Sequence, residues 1–219
     1  MNFYENGERD AAFMREALRQ AQKAYEADEV PVGAVVVREG RIIARAYNQV
    51  ELLKDATAHA EMLALTQAEA AVGDWRLTDC DLYVTKEPCV MCAGALIHIR
   101  VRRLIFGCAD AKSGAAGGMI SLLQHSALNH HCEITSGVLQ NECGAILQVF
   151  FRKRRDEQNV TPQDRQIENR KSRWRSRQDS HPHLRRSKRR ALVIKLREPV
   201  DRWCFRPHPS SLIPVHWLP

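Results

Sequence analysis

Apolar residues near the start of the chain recur at the spacing of one helix face. They predict an amphipathic helix over about residues 11–27, and the recurring positions are Phe13, Met14, Ala17, Leu18, Ala21 and Tyr25. Residues 32–37 form a short β-branched apolar run, which is typical of a strand buried on both faces. A turn signal at Glu39-Gly40 separates this run from residues 41–47. The pattern therefore predicts a β-hairpin directly after the first helix.

Helical and extended patterns then alternate as far as residue 155. The predicted helices cover residues 60–72, about 89–99, a weaker segment at 119–123 and about 142–155, and Gly73 ends the first of them. The predicted strands cover residues 82–85, 104–106 and about 133–135. Such alternation indicates an α/β layered domain whose later strands are joined by helical crossovers.

The two ends of the chain differ in charge. Residues 1–151 carry a net charge of −5, whereas residues 152–219 carry +12. From about residue 157 the sequence is polar and Arg-rich without an apolar period, so we expect 157–219 to be a largely disordered basic extension. This extension is either an RNA-binding arm that adds salt-sensitive affinity or an unstructured appendage. We favour the appendage, because charge runs are usually solvated.

Composition narrows the class of protein. Apolar residues make up 44% of the chain, which is enough for a globular unit. The start of the chain is polar, unlike a signal peptide, and no apolar run is long enough to predict a membrane span. Seven cysteines without a secretory signal indicate a reducing compartment, where cysteines are core residues or metal ligands. We therefore expect a cytoplasmic protein without membrane association.

Two short segments carry the candidate chemistry. Residues 57–61 (TAHAE) and 87–92 (EPCVMC) each fall at the start of a predicted helix. His59, Cys89 and Cys92 make a three-ligand zinc site, which leaves the fourth tetrahedral position open for water. Helix N-termini favour the thiolate form of cysteine through their free N–H groups and the macrodipole. The alternative is a Cys-x-x-Cys at a helix start with an unrelated histidine.

Glu61 adds a candidate proton shuttle beside this site. Zinc lowers the pKa of its bound water to about 7, and a neighbouring carboxylate takes the proton and passes it to a ring nitrogen and a leaving amine. The order H-x-E followed by P-C-x-x-C is the signature of zinc deaminases that act on nucleobases. The sequence therefore predicts hydrolytic deamination of a nucleobase.

Further segments resemble the bacterial tRNA-specific adenosine deaminases, in one register over about residues 8–156. They are residues 29–35 (EVPVGAV), Asn48, 57–61, 82–85 (LYVT), 87–95 (EPCVMCAGA), 110–117 (DAKSGAAG), 128–130 (LNH), 137–139 (GVL) and 150–152 (FFR). The resemblance implies a three-layer α/β/α cytidine deaminase-like domain over 8–156, built on a mainly five-stranded mixed sheet. It also implies a homodimer with one Zn²⁺ per subunit, which converts adenosine to inosine at the wobble position of an arginine tRNA with anticodon ACG.

The same resemblance assigns roles to individual residues. His59, Cys89 and Cys92 would bind zinc, and Glu61 would be the proton donor and acceptor. Substrate would be held by residues of two kinds, those around the flipped base (Asn48, the backbone near Ala58, Val30 and Pro31) and those at the anticodon loop (Asp110, Lys112, Phe151 and Arg152). Asn48 could instead be an ordinary turn residue, and Lys112 a solvated loop lysine. Of Phe150 and Phe151, we expect one to be a core residue and the other at best an RNA platform.

Two positions depart from the family pattern. Ala56 stands where the family usually has proline, which frees φ just before His59. Lys86 stands where an apolar residue is usual, so it must point to solvent, pair with a carboxylate or meet the RNA.

Two rival functions remain open. One is a zinc deaminase of a free base or nucleoside, of the guanine or cytosine type, and the motifs at 110–112 and 150–152 argue against it. The other is a non-catalytic RNA-binding zinc subunit, and the presence of Glu61 argues against that.

Overall fold

The computed structural model describes residues 3–159, 170 and 173–176. The chain divides into two units after Asn159, and all the elements below belong to the first. The predicted disorder of 157–219 concerns residues that mostly lie outside the described part of the chain. Residues 157–159, which that prediction includes, continue the last helix of the first unit. The domain limits of 8–156 and 157–219 therefore stay predictions.

The first unit is an alternation of helices and strands. In chain order its elements are α1 (Phe3–Glu26), β1 (Gly33–Arg38), β2 (Arg41–Tyr47), α2 (Val50–Leu53), α3 (Ala60–Val72), β3 (Cys80–Lys86), α4 (Val90–His98), β4 (Arg103–Cys108), β5 (Glu133–Ser136) and α5 (Gln140–Asn159). The predicted hairpin and the predicted helix over 60–72, with Gly73 as its C-cap, are confirmed. Helix α1 begins eight residues before the predicted start, and the short α2 was not predicted.

The strands form one mixed five-stranded sheet in the order β2-β1-β3-β4-β5. Strand β1 runs antiparallel to β2 and to β3, whereas β3, β4 and β5 are parallel to one another. Helix α4 makes the crossover from β3 to β4, as the alternation predicts. This confirms the predicted fold class.

The helix predicted over 119–123 is wrong. In its place the chain from β4 to β5 closes on Gly114, whose carbonyl accepts hydrogen bonds from the N–H of Met119 at 2.9 Å and of Ile120 at 3.2 Å. These contacts compete with the i→i−4 ladder of a helix, so the segment forms turns and an isolated bridge between Ala116 and Ser121. The apolar residues that suggested a helix are partly solvent-exposed, and Leu123 alone is fully buried.

Helices cover both faces of the sheet, which gives three layers. Helices α1 and α5 pack with one face around Met14, Val35, Tyr83, Ile105 and Cys143. Helices α3 and α4 pack with the other face in a larger cluster that includes Ala64, Leu65, Leu82, Leu96 and Leu104.

Helix α1 approaches β1 very closely. A Cβ built at Gly33 would lie 2.1 Å from the carbonyl oxygen of Ala17, so only glycine permits this packing. This close approach fixes the position of the chain between α1 and β1. Val30 and Pro31, two predicted residues of the base pocket, lie in this segment. None of the helices in the described part of the chain combines the length and apolarity that a bilayer crossing requires.

Candidate active site

The three predicted metal ligands lie together where α3 and α4 begin. His59 is the N-cap residue of α3, Cys89 is the N-cap residue of α4, and Cys92 lies in the first turn of α4. Neither N-cap side chain caps its own helix, although many N-cap side chains do. The imidazole and the thiol are therefore free to face each other across the gap between the two helices.

Their donor atoms have the spacing of a tetrahedral zinc site. Nδ1 of His59 lies 3.5 Å from the Cys92 Sγ and 3.7 Å from the Cys89 Sγ, and the two sulfurs are 3.7 Å apart. Tetrahedral zinc with ordinary bond lengths holds two sulfurs about 3.8 Å apart, and a sulfur and a nitrogen about 3.6 Å apart. Both values agree with the observed distances. One imidazole and two thiolates are also the donor set that zinc prefers, so the residues present fit this ion.

The surroundings of Cys89 favour its thiolate form. Hydrogen bonds from Cys92 and His59 lower the pKa of Cys89 to about 3. The pKa of His59 is raised, chiefly by its hydrogen bond with Cys89. Hydrogen bonding with Cys89 and burial raise the pKa of Cys92, and repulsion from the negative charges of Glu61 and Cys89 raises it further. A divalent cation between the sulfurs offsets that repulsion, so the cluster is suited to bind a metal ion.

Glu61 lies in the first turn of α3, two residues after His59. It is buried, with only 4% of its surface exposed, and this desolvation raises the pKa of its carboxyl group. A carboxyl group with a raised pKa binds and releases a proton more readily near neutral pH than an exposed one. The position and environment of Glu61 thus suit a proton shuttle.

A cavity of about 320 Å³ opens over the cluster, a size typical of small-ligand pockets. Its lining residues are Glu29, Val30, Val32, Asn48, Val50, Glu51, His59, Glu61, Lys86, Glu87, Cys89, Ser113 and Phe151. Three of the predicted substrate residues, Val30, Asn48 and Phe151, are therefore brought together with Glu61 and two of the ligands.

The other predicted base-pocket residues, Pro31 and Ala58, are not part of this lining. Pro31 is buried next to Val30. Ala58 is buried, its N–H donates to the carbonyl of Asp55 at 3.1 Å, and its own carbonyl accepts from the N–H of Gln49 at 3.0 Å. The backbone of Ala58 is thus engaged within its loop, and only the second lone pair of its carbonyl is left for a substrate.

The same loop contains the first departure from the family pattern. Thr57 donates to Oδ1 of Asp55 through its N–H at 2.8 Å and through its hydroxyl at 2.7 Å. These bonds close a turn around Ala56, which stabilises the approach to His59 where the family usually has proline.

The carboxylate of Asp110 accepts its hydrogen bonds from groups within the protein. Its carboxylate accepts from Lys86, from the hydroxyl of Ser113 and from the N–H of Lys112 at 2.9 Å. Burial alone would raise the pKa of Asp110, but the bonds from Lys86 and Ser113 hold it well below its usual range. Of the three outcomes expected for Lys86, pairing with a carboxylate is the observed one. Lys112 and Arg152 are exposed and lie outside the cavity.

Phe150 and Phe151 face different surroundings. Phe150 is 3% exposed and packs edge-on against Tyr25, with the Arg154 guanidinium above its ring. Phe151 is 43% exposed and lines the cavity. One of the pair is therefore a core residue, and the other offers an aromatic face at the mouth of the site.

Glu87 is a site residue that sequence reasoning missed. It is 2% exposed, and its carboxylate accepts three backbone N–H bonds, from Asp110 at 2.8 Å, Ala116 at 2.9 Å and Gly118 at 2.8 Å. A Cβ built at Gly114 would lie 2.3 Å from its Cδ, so the loop closes around the carboxylate only with glycine there. The glycines of residues 110–118 were the available signal, but they do not show which group the loop encloses.

Comparisons with known proteins agree with this geometry. Residues 8–155 match the family model of the MafB19-like deaminases. The tRNA-specific adenosine deaminase of Bacillus subtilis (strain 168) is 50% identical over 146 residues, which are 67% of this chain and 91% of that protein.

Solved structures give the same result. A structure from studies of A-to-I editing by tRNA:A34 deaminases at the wobble position of transfer RNA is 44% identical, with a TM-score of 0.61. The match covers 62% of this chain and 99% of that one. The guanine deaminase from Nitrosomonas europaea is 27% identical, with a TM-score of 0.54, over 64% of this chain and 83% of that one. From the family model and these similarities, the chain belongs to the MafB19-like deaminases and, among them, to the tRNA-specific adenosine deaminases.

Proposed function

We propose that this chain converts adenosine to inosine at the wobble position of tRNA, and that its substrate is the arginine tRNA with anticodon ACG. The observation that carries the reaction is the tetrahedral spacing of His59, Cys89 and Cys92 with buried Glu61 beside them in one cavity. The 50% identical tRNA-specific adenosine deaminase supports adenosine in tRNA as the substrate, and the A34 deaminase structure supports the wobble position. The choice of an arginine tRNA rests on the family resemblance.

The reaction adds water across a carbon–nitrogen bond and releases ammonia. When bound, zinc supplies a Lewis acid that brings the pKa of a water molecule close to neutral. Glu61 accepts a proton from the attacking water and delivers it to the ring nitrogen, while the water oxygen bonds to the neighbouring carbon. It then transfers the second proton to the exocyclic amine, which leaves as ammonia while the carbon becomes a carbonyl. Glu61 is thus returned to its starting protonation state, and inosine and ammonia are the products.

Two groups of residues bind the RNA in this proposal. Asn48, Val30, Pro31 and the backbone of Ala58 surround the flipped base. At the mouth, Phe151 stacks on a base, Lys112 and Arg152 contact phosphates as exposed cations, and Asp110 holds Lys86 and Ser113 in place. Removal of a base from its stack costs a few kcal/mol, which such contacts offset.

We also propose one Zn²⁺ per subunit held by His59, Cys89 and Cys92, a homodimer, a deaminase domain over 8–156 and a cytoplasmic location, where the tRNA substrate is available. Metal analysis of the purified protein and its molar mass in solution test the first two. A zinc content far from one per chain would contradict the assigned ligand set.

The test of the function is inosine formation in a transcribed arginine tRNA with adenosine at the wobble position, followed by sequencing. Glu61→Ala is expected to keep its zinc and lose at least about 10²-fold in rate, the low end for general acid–base catalysis. Glu69→Ala, in the same helix and outside the cavity, is the matched control and is expected to keep wild-type activity. Unchanged turnover in Glu61→Ala would remove this residue from the mechanism.

Free nucleosides and bases are assayed alongside, with ammonia release as the readout. Ammonia from guanine or cytosine compounds, without inosine in the tRNA, would keep the chemistry and replace the proposed substrate. Zinc binding and tRNA binding without any deamination would instead support the non-catalytic alternative.

A further inference from the structure

Glu29 is a buried carboxyl group that the proposed mechanism does not use. It follows α1, has 1% of its surface exposed and lines the cavity. One of its oxygens, Oε1, accepts a hydrogen bond from the N–H of Leu52 at 2.7 Å. The other, Oε2, accepts from Nδ2 of Asn48 at 3.1 Å. Glu29 therefore joins the end of α1, the residue after β2 and the short helix α2.

The chemistry of these partners fixes the orientation of the Asn48 side chain. A carboxylate can only accept hydrogen bonds, and the N–H of Leu52 can only donate, so Oε1 of Glu29 is occupied. If the Asn48 amide rotated by half a turn, its Oδ1 would face the Oε2 of Glu29, acceptor against acceptor. Such a contact inside a buried site leaves both oxygens without a donor and is strongly unfavourable. Asn48 is consequently held with its nitrogen toward Glu29.

This orientation decides what the cavity presents to a base. Asn48 is 6% exposed and lines the cavity together with Glu61. With one N–H bound to Glu29, the Oδ1 and the second N–H remain for a ligand, in a fixed order around the amide plane. A purine edge is also a fixed order of donors and acceptors, and a buried mismatch between the two is costly.

The burial of Glu29 also supports a role in orienting Asn48. Both of its hydrogen-bond partners are uncharged N–H groups, and a buried carboxylate held in this way costs folding free energy relative to an apolar residue of similar size. The bond from the N–H of Leu52 requires only one acceptor oxygen, which a glutamine would also supply. The orienting contact of Glu29 with Asn48 does need a carboxylate.

We propose that Glu29 is a positioning residue that fixes the Asn48 amide and thereby sets the preference of the cavity for adenine. The inference rests on the proposed function, since it concerns how the same cavity recognises its base. The atoms of Glu29 do not touch the reacting carbon. Its effect on the reaction passes through Asn48 alone.

A double-mutant cycle separates this role from a general structural one. Glu29→Gln keeps the size of the side chain, but its amide no longer requires a donor from Asn48. We expect kcat/KM on the tRNA to fall about 10-fold or more, the cost of a mismatched buried hydrogen bond. In the Asn48→Ala background the same change should have no further effect. An equal loss in both backgrounds would overturn the proposal, because Glu29 would then act without Asn48.

The control is Glu26→Gln, an exposed position three residues earlier, which should behave as wild type. Zinc content and thermal unfolding are measured on every variant, so that a folding defect is recognised as such. If Glu29→Gln is poorly folded, Glu29→Asp keeps the charge and is tested in the same cycle. It should retain adenine selectivity over guanine while losing rate.

A second measurement needs no substrate. In ¹⁵N-labelled zinc-loaded protein, the side-chain amide of Asn48 is identified as the NH₂ pair missing from Asn48→Ala. A hydrogen bond to a carboxylate shifts one proton of that pair and slows its exchange, and Glu29→Gln should abolish both effects. If the chemical shift and exchange rate of the Asn48 amide were unchanged in Glu29→Gln, the positioning role would be refuted. Inactivity of the wild-type protein on tRNA would refute the proposed function while leaving this result intact.

Discussion

The loop over residues 110–118 depends on a single buried carboxylate, so the change Glu87→Gln should destabilise the protein. Glutamine has the same shape but only one acceptor oxygen. If that oxygen keeps the bonds from Ala116 and Gly118, the bond from the N–H of Asp110 is lost and its donor faces an NH₂ group. A hydrogen bond to a charged acceptor contributes about 2 kcal/mol, and each of the remaining two weakens by about 1 kcal/mol when the charge is removed. The free energy of unfolding should therefore fall by about 4 kcal/mol.

Urea unfolding monitored by circular dichroism measures this loss. Zinc is kept saturating, and its content is determined for each protein, because a bound ion adds to the apparent stability. For a chain of this size, 4 kcal/mol corresponds to a decrease in Tm of roughly 8–16 °C. Glu142→Gln, at an exposed position on α5, is the control and should change stability by less than about 0.5 kcal/mol. A loss below about 1 kcal/mol for Glu87→Gln would show that the three N–H groups find other acceptors, and the account of this loop would be wrong.

Two further predictions concern RNA binding at the mouth of the cavity. Phe151→Ala should weaken tRNA binding by about 1–3 kcal/mol in a fluorescence anisotropy titration, with little change in stability, whereas Phe150→Ala should lower the free energy of unfolding by about 3–5 kcal/mol. Equal stability losses for the two variants would contradict their assigned surroundings. Lys112→Ala should reduce the slope of log Kd against log salt concentration by about 0.7, because an exposed lysine releases a counterion from single-stranded RNA. Lys86→Met combined with Asp110→Asn should leave that slope unchanged, because this pair is already neutral within the protein; a reduced slope would mean that Lys86 contacts phosphate.

The sequence predicted the parts of the fold that depend on local patterns. Residues 32–37 and 41–47 form the hairpin because the β-branched apolar run and the Glu39-Gly40 turn act over a few residues. The candidate metal ligands were predictable for a different reason, since a motif fixes residue types and spacing directly. The distance of 3.5 Å between Nδ1 of His59 and the Cys92 Sγ was not readable from that motif, because it depends on how α3 and α4 pack.

The elements that were missed depend on contacts between distant residues. The segment 119–123 has helical composition, yet it bonds to Gly114 instead of to itself. The carboxylate that pairs with Lys86 was likewise not readable from the sequence, because Asp110 lies 24 positions later. Local propensity carries no information about such partners, and the burial of a charged side chain is decided only when the layers close.

Three buried glutamates line the cavity, and their hydrogen-bond partners indicate different roles for them. Glu87 accepts three N–H bonds and Glu29 accepts two, so each of these carboxylates is held by fixed donors and serves to shape the site. Glu61 differs, because desolvation dominates its environment and raises its pKa. Burial in a low dielectric favours the protonated form of a carboxyl group, so Glu61 is suited to bind a proton. Identical side chains around one cavity thus divide into two that hold the cavity in shape and one that transfers protons in the proposed mechanism.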